Sequence, residues 1–153
     1  MSSAPPPSDL AAHLGFWLRT VSNHVSYAFA GKLAAKGVTV AEWVMMRALY
    51  GKDPMPPSRL AEEMGMTRGA ITKLADRLIS KSLIVRKASR DDGRAQTLAL
   101  TPQGTDLAPE LAALADRNDA EFFDHLSGAE RETLERLLKR MVEHCQMTTA
   151  PIE

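Results

Sequence analysis

Apolar residues at Leu10, Leu14, Trp17, Leu18, Val21, Val25, Phe29 and Leu33 recur in steps of three and four, the spacing of one helical face. The pattern predicts a long amphipathic helix from Leu10, stopped by Gly37 after Lys36. Thr39-Val40-Ala41-Glu42 is a capping box: the Thr39 hydroxyl accepts the amide three residues on while Glu42 reaches back. A second helix therefore starts there and turns Trp43, Met46, Leu49 and Tyr50 inward. Gly51-Lys52-Asp53-Pro54 ends it, and Pro56-Pro57 keeps the chain out of helix until Ser58.

Ser58 to Met64 reads as a short helix with Leu60, Ala61 and Met64 on one face, broken by Gly65. Thr67 is a natural N-cap for the next helix, which runs to about Lys81 with Ile71, Leu74, Ala75, Leu78 and Ile79 at helical spacing. Leu83-Ile84-Val85 and Thr97-Leu98-Ala99-Leu100 are strand signals around a turn cluster from Ser89 to Gly93, so they predict a hairpin with a charged tip. Thr101-Pro102 caps and starts another helix, with Leu107, Leu111, Leu114, Ala115, Phe122 and Phe123 on its apolar side. Ser127-Gly128-Ala129-Glu130 is a second capping box, opening a last helix with Leu134, Leu137, Leu138, Met141 and Val142. The small, proline-rich start (Met1 to Ser8) and the end after Met147 read as tails.

Composition adds bounds. The chain has 153 residues, 44% hydrophobic and 25% charged, which suits a globular protein large enough for a core plus an oligomerisation appendage. No apolar run approaches the roughly 20 residues of a membrane span. The N-terminus lacks the features of a signal peptide, so a cytoplasmic location and no membrane partner are expected. One cysteine, Cys145, rules out an internal disulfide framework. Net charge is zero but unevenly spread. Ser58 to Arg94 holds nine Lys+Arg against five Asp+Glu, and Gln103 to Met147 holds five against ten. A basic middle and an acidic C-terminal third suggest that a polyanion meets the middle.

Two short helices joined by a tight glycine turn and followed by a hairpin form a winged helix-turn-helix pattern. The second helix of such a pair enters the major groove with its N-terminal residues at the base edges. Here these are Thr67, Arg68, Gly69, Thr72 and Lys73. Arg68 can bond guanine O6 and N7 in a bidentate way. The two threonines offer hydroxyls, and Gly69 permits close approach. Lys73 and Arg77 are expected at phosphates. On the hairpin, Ser89-Arg90-Asp91-Asp92-Gly93-Arg94 places two arginines where the narrow minor groove would attract them, with Asp92 able to orient Arg94 by an ion pair.

The residues Met64-Gly65-Met66-Thr67-Arg68-Gly69-Ala70-Ile71-Thr72-Lys73-Leu74, then Asp76-Arg77-Leu78, Leu83-Ile84, Asp92-Gly93-Arg94 and Leu100-Thr101-Pro102-Gln103-Gly104, resemble the MarR family of bacterial regulators. The likeness covers roughly Leu10 to Met147, with its motifs between Met64 and Gly104. It implies a mainly α, winged helix-turn-helix fold with flanking dimerisation helices. It also implies a homodimer on a palindromic double-stranded DNA operator and repression relieved by a small ligand. By that resemblance Arg94 is the minor-groove arginine. The expected division is a tail at 1–8, dimerisation helices at 9–37 and 101–147, and a DNA-binding domain at 38–100. The large apolar residues on the outer helices favour a dimer independently of the resemblance.

Other residues point less sharply. Trp17, His24, Tyr27, Trp43 and Met46 are candidate liners of a cleft for a small aromatic effector between the long helix and the DNA-binding unit. His13, His24, His125 and His144 form no close pair of metal-helix spacing, so neither a metal nor another cofactor is expected. No Ser-His-Asp order, phosphate-binding glycine loop or paired carboxylates suggest an enzyme. Two alternatives stay open: a winged helix that contacts protein without DNA, and a redox-responsive regulator acting through Cys145.

Overall fold

The computed structural model describes residues 3–90, 93 and 95–146. Among these residues, six α-helices and a two-stranded sheet follow one another as α1 (Leu14–Ala34), α2 (Val40–Leu49), α3 (Pro57–Met64), α4 (Arg68–Ser80), β1 (Ile84–Ala88), β2 (Gln96–Leu100), α5 (Pro102–Phe123) and α6 (Gly128–His144). The fold is mainly helical with a small wing, and local sequence chemistry sets most boundaries.

Both capping boxes form. Thr39 Oγ1 accepts from Glu42 N at 3.2 Å while Glu42 Oε1 accepts from Thr39 N at 2.9 Å. Ser127 and Glu130 do the same at 3.1 and 2.9 Å. Thr101 caps α5 by accepting from Gly104 N at 3.0 Å, with Pro102 in the first turn.

The first helix departs from the sequence pattern. Leu10–Ala12 forms a short 3₁₀ turn, and His13 is extended (φ −97°, ψ 131°), so the regular helix starts only at Leu14. The Ala11 carbonyl accepts the Trp17 indole N–H at 2.8 Å, where a continuous helix would have supplied a backbone amide. Pro57 belongs to α3 rather than preceding it, because the first turn of a helix tolerates a residue with no N–H.

The core lies inside the helix-turn-helix and under the first half of α5. Leu33, Met45, Met46, Leu60, Ile71, Leu78, Ile84, Leu98 and Leu111 are buried there. β1 and β2 pair antiparallel with Ile84 opposite Leu100 and Ala88 opposite Gln96. Met55 adds a single-residue bridge to the outer side of β2, exchanging backbone bonds with Leu98 at 2.9 and 2.8 Å. Gly104 is where α5 meets β1: a Cβ there would lie 2.1 Å from the Leu83 carbonyl oxygen.

The outer helices are joined by polar contacts. Asn118 of α5 is buried; its amide donates to the Val25 carbonyl at 3.1 Å and accepts from Lys32 Nζ at 2.9 Å. Lys32 also pairs with Glu121 at 2.9 Å. By contrast, α6 buries none of its residues, and Leu134, Leu137, Leu138, Met141 and Val142 are exposed on it. Leu14, Trp17, Leu18 and Val21 are exposed on α1. No helix among the described residues is long and apolar enough to cross a membrane.

Candidate nucleic-acid interface

The turn between α3 and α4 depends on Gly65. It takes a left-handed conformation (φ 63°, ψ 33°), which glycine adopts without steric cost. Met66 N then donates to the Ala61 carbonyl at 3.0 Å, closing the end of α3. Two residues later Thr67 is extended, and its hydroxyl accepts from Ala70 N at 3.1 Å to start α4.

α4 has two unlike faces. Ile71, Leu74, Ala75 and Leu78 are buried against the core. Thr67, Arg68, Gly69, Thr72 and Lys73 are exposed together on the opposite side of its first half. Arg68 and Lys73 have no ion-pair partner among the described residues. Thr72 donates its hydroxyl hydrogen to the Arg68 carbonyl at 3.0 Å, which leaves its lone pairs for an outside donor. A Cβ at Gly69 would meet nothing within 4 Å, so the protein itself does not require glycine there. The exposed amide end of α4 and its cations can face an anion together.

Arg77 does not join this set. Its guanidinium turns toward α2, donating to Thr39 Oγ1 at 3.2 Å and standing 3.4 Å from Glu42 Oε1. Arg77, expected at a phosphate, is thus directed at α2 in this structure while its side chain stays half-exposed. Glu42 is wholly buried and is the centre of the cluster. Lys81 Nζ lies 2.9 Å from its Oε1 and 2.8 Å from its Oε2, and also donates to the Gly37 carbonyl at 2.8 Å. Burial opposes ionisation of Glu42. The Lys81 hydrogen bond, the Thr39 backbone and hydroxyl bonds and the Lys81 charge together outweigh it, holding the carboxyl below its ordinary range. The local sequence marks Glu42 only as a cap, because Arg77 and Lys81 lie 35 and 39 positions further on.

The wing stands beside α4. Arg86 on β1 pairs with Asp76 on α4, fastening the hairpin to the helix. Ser89 N donates to the Ala95 carbonyl at 2.9 Å at the open end of the hairpin, and Arg90 is exposed there. Asp92 and Arg94 lie outside the described residues.

The aromatic set is divided. Trp43 and Met46 are sealed in the core, whereas Trp17 and Tyr27 are 53% and 84% exposed and His24 is exposed on the same helix. These five do not line one cleft within a single chain, a correction whose cause is helical phase. Residues 17, 24 and 27 point away from the side of α1 that carries Leu33 inward. Cys145 is exposed at the end of α6. Among the described residues, no three His, Cys, Asp or Glu side chains come together as a metal site.

A helix pair turned by a left-handed glycine, an outward polar face on the second helix and a hairpin pinned beside it define a winged helix-turn-helix of the DNA-binding regulators. The comparisons agree. A model of the MarR family matches residues 36–95. A putative transcriptional regulatory protein for the hcr operon of Thauera aromatica is 33% identical over 145 residues, spanning 94% of this chain and 87% of that protein. A probable transcriptional regulator from Pseudomonas aeruginosa superposes with a TM-score of 0.75 at 31% identity, over 87% of this chain and 99% of the other. A mutant MarR from E. coli, solved in complex with operator DNA, gives a TM-score of 0.75 at 25% identity over 84% and 93%. The chain belongs to the MarR family of DNA-binding transcriptional regulators, and its relatives are regulators rather than enzymes.

Proposed function

We propose that the protein is a sequence-specific repressor that binds a palindromic operator as a homodimer, with the first half of α4 in the major groove and the wing at the adjacent minor groove. The observation that carries this reading is the exposed group Thr67, Arg68, Gly69, Thr72 and Lys73 on a helix whose other face is core. In this reading Arg68 bonds a guanine, Lys73 meets a phosphate, and Arg90 and Arg94 serve the wing.

The dimer is supported by apolar surface that one chain leaves open. α6 buries nothing, and it shares that character with the first half of α1. A second copy covering both helices would remove these leucines and Trp17 from water, and two half-sites would then lie about one DNA turn apart. Release by a small aromatic effector belongs to the same proposal, because Trp17, His24 and Tyr27 leave aromatic and polar side chains exposed on α1, the helix that a second copy would cover in part. Aromatic acids that move neither the melting temperature nor DNA binding would remove that part.

The test is selection of genomic fragments with the purified protein, followed by fluorescence anisotropy on a recovered duplex. Arg68→Ala is expected to weaken binding by about 1–3 kcal/mol and to relax base preference at one position per half-site. Failure to select any fragment, with binding unaffected by salt, overturns the reading in favour of a protein-contact module.

A further inference from the structure

The polar cluster on the inner flank of α4 has a consequence for how the helix meets DNA, and this inference rests on the α4 reading above. Gly69, Lys73 and Arg77 follow one another at intervals of four, so they form a slowly turning stripe along one side of the helix. Lys73 at the middle of that stripe is exposed without an ion-pair partner among the described residues. Arg77, one turn further, is half-exposed yet directed back at the buried Glu42 carboxylate and at the Thr39 hydroxyl. An arginine at that place would otherwise reach outward, because its guanidinium is more favourably hydrated at the surface than beside a protein wall without a counter-charge.

Glu42 needs only a hydrogen-bonding side chain to close the α2 capping box, and glutamine serves that position as well as glutamate. The charge is therefore surplus to the cap. What it adds is a hold on two cations of α4 at once, Arg77 at 3.4 Å and Lys81 at 2.8 Å. Lys81 in turn ties the α1–α2 turn through the Gly37 carbonyl at 2.8 Å.

We propose that Glu42 is a specificity-determining positioning residue: it keeps Arg77 out of the phosphate-binding set, so that sequence-independent attraction to DNA stays low while the first half of α4 reads bases. Each cation that reaches a phosphate adds to affinity for any sequence and steepens the salt dependence, without adding discrimination. Holding one cation back on each protomer lowers the background against which the operator is found.

The experiment measures binding of the full chain to a random-sequence duplex and to a selected genomic fragment across salt concentrations. Glu42→Gln retains the cap and removes the charge that draws Arg77 inward, leaving the Thr39 hydroxyl as a neutral acceptor. It is expected to steepen the slope of log K against log salt by ~0.9 per protomer, to tighten random-sequence binding several-fold and to lower the ratio of selected to random affinity. Glu42→Gln with Arg77→Gln is expected to return the slope to that of the parent. A purely structural role for Glu42 would lower the folded fraction and weaken both duplexes together, with no steeper slope. A folded Glu42→Gln protein with the parent slope overturns the proposal, as does a double variant that keeps the steeper one. If Glu42→Gln does not fold, Arg77→Gln alone decides: the parent slope supports the proposal, and a fall of ~0.9 per protomer overturns it. Arg68→Ala separates the two levels. Undiminished base preference in that variant defeats the reading of α4, whereas the salt slopes judge Glu42 whatever Arg68 does.

Discussion

Replacing Gly104 by alanine perturbs the contact that sets α5 on the wing. The added methyl carbon would lie 2.1 Å from the Leu83 carbonyl oxygen and 3.2 Å from a Leu100 methyl group. The obstacle is backbone, so rotamer changes cannot relieve it, and the start of α5 must move away from β1. That same carbonyl accepts Thr101 N at 3.0 Å, and the Thr101 hydroxyl donates to the Ser82 carbonyl at 2.7 Å. Overpacking of this kind costs about 1–3 kcal/mol, and a strained hydrogen bond adds about 1 kcal/mol. Alanine returns about 1 kcal/mol of helix propensity. The net expectation is destabilisation by about 1–3 kcal/mol, with a fall in Tm of about 2–4 °C for each kcal/mol in a chain of this size. Urea unfolding followed by circular dichroism measures it as a lower midpoint at unchanged m. A variant as stable as the parent would refute the close approach of α5 to β1.

Three further outcomes follow from other parts of the structure. Gly69→Ala meets open space, so it should stabilise the fold by about 0.5–1 kcal/mol in the same urea assay yet weaken binding to a selected fragment; unaltered binding would mean that the duplex does not approach Gly69. Glu42 has a folded pKa below its ordinary 4.5, so its stabilising contribution is full above that value and is lost as pH falls through the folded pKa. Urea midpoints of the parent should therefore drop more steeply than those of Glu42→Gln as pH is lowered from about 5, and parallel profiles would contradict the cluster. Leu138→Glu places a charge on the exposed apolar stripe of α6 and should raise the Kd of the proposed dimer about a hundredfold, on the order of 3 kcal/mol, in analytical ultracentrifugation; self-association equal to the parent's would contradict an interface through α6.

Where the determinants were local, the sequence could be followed closely. Thr39 with Glu42, Ser127 with Glu130, Thr67, Thr101-Pro102 and Gly65 each act within a few residues, and the helix starts and the sharp turn came out as their chemistry required. The polar outer face of α4 was legible for the same reason, since helical periodicity assigns Ile71 and Leu74 inward and Arg68 and Thr72 outward. What escaped depends on partners distant in the chain. Arg77 carries a residue type and position suited to phosphate, and Thr39 and Glu42 across the fold direct it inward. Met55 lies among prolines with no strand signal, and only Leu98 makes it an edge residue. The need for glycine at 104 comes from Leu83, the burial of Asn118 from α1. The aromatic residues do not form one cleft because periodicity within each helix leaves the relative phase of α1 and α2 undetermined, and that phase turns Trp43 inward and Trp17 and Tyr27 outward.

The central claim is that Arg68 reads a guanine from the major groove. The most direct measurement replaces single guanines of a selected fragment by 7-deazaguanine, which lacks the N7 acceptor, and titrates each duplex with the parent and with Arg68→Ala. One guanine in each half-site should weaken the parent by about 1–3 kcal/mol and have almost no further effect on Arg68→Ala. Equal losses in both proteins at every guanine would mean that Arg68 makes no such contact, and the placement of α4 in the groove would fall with it.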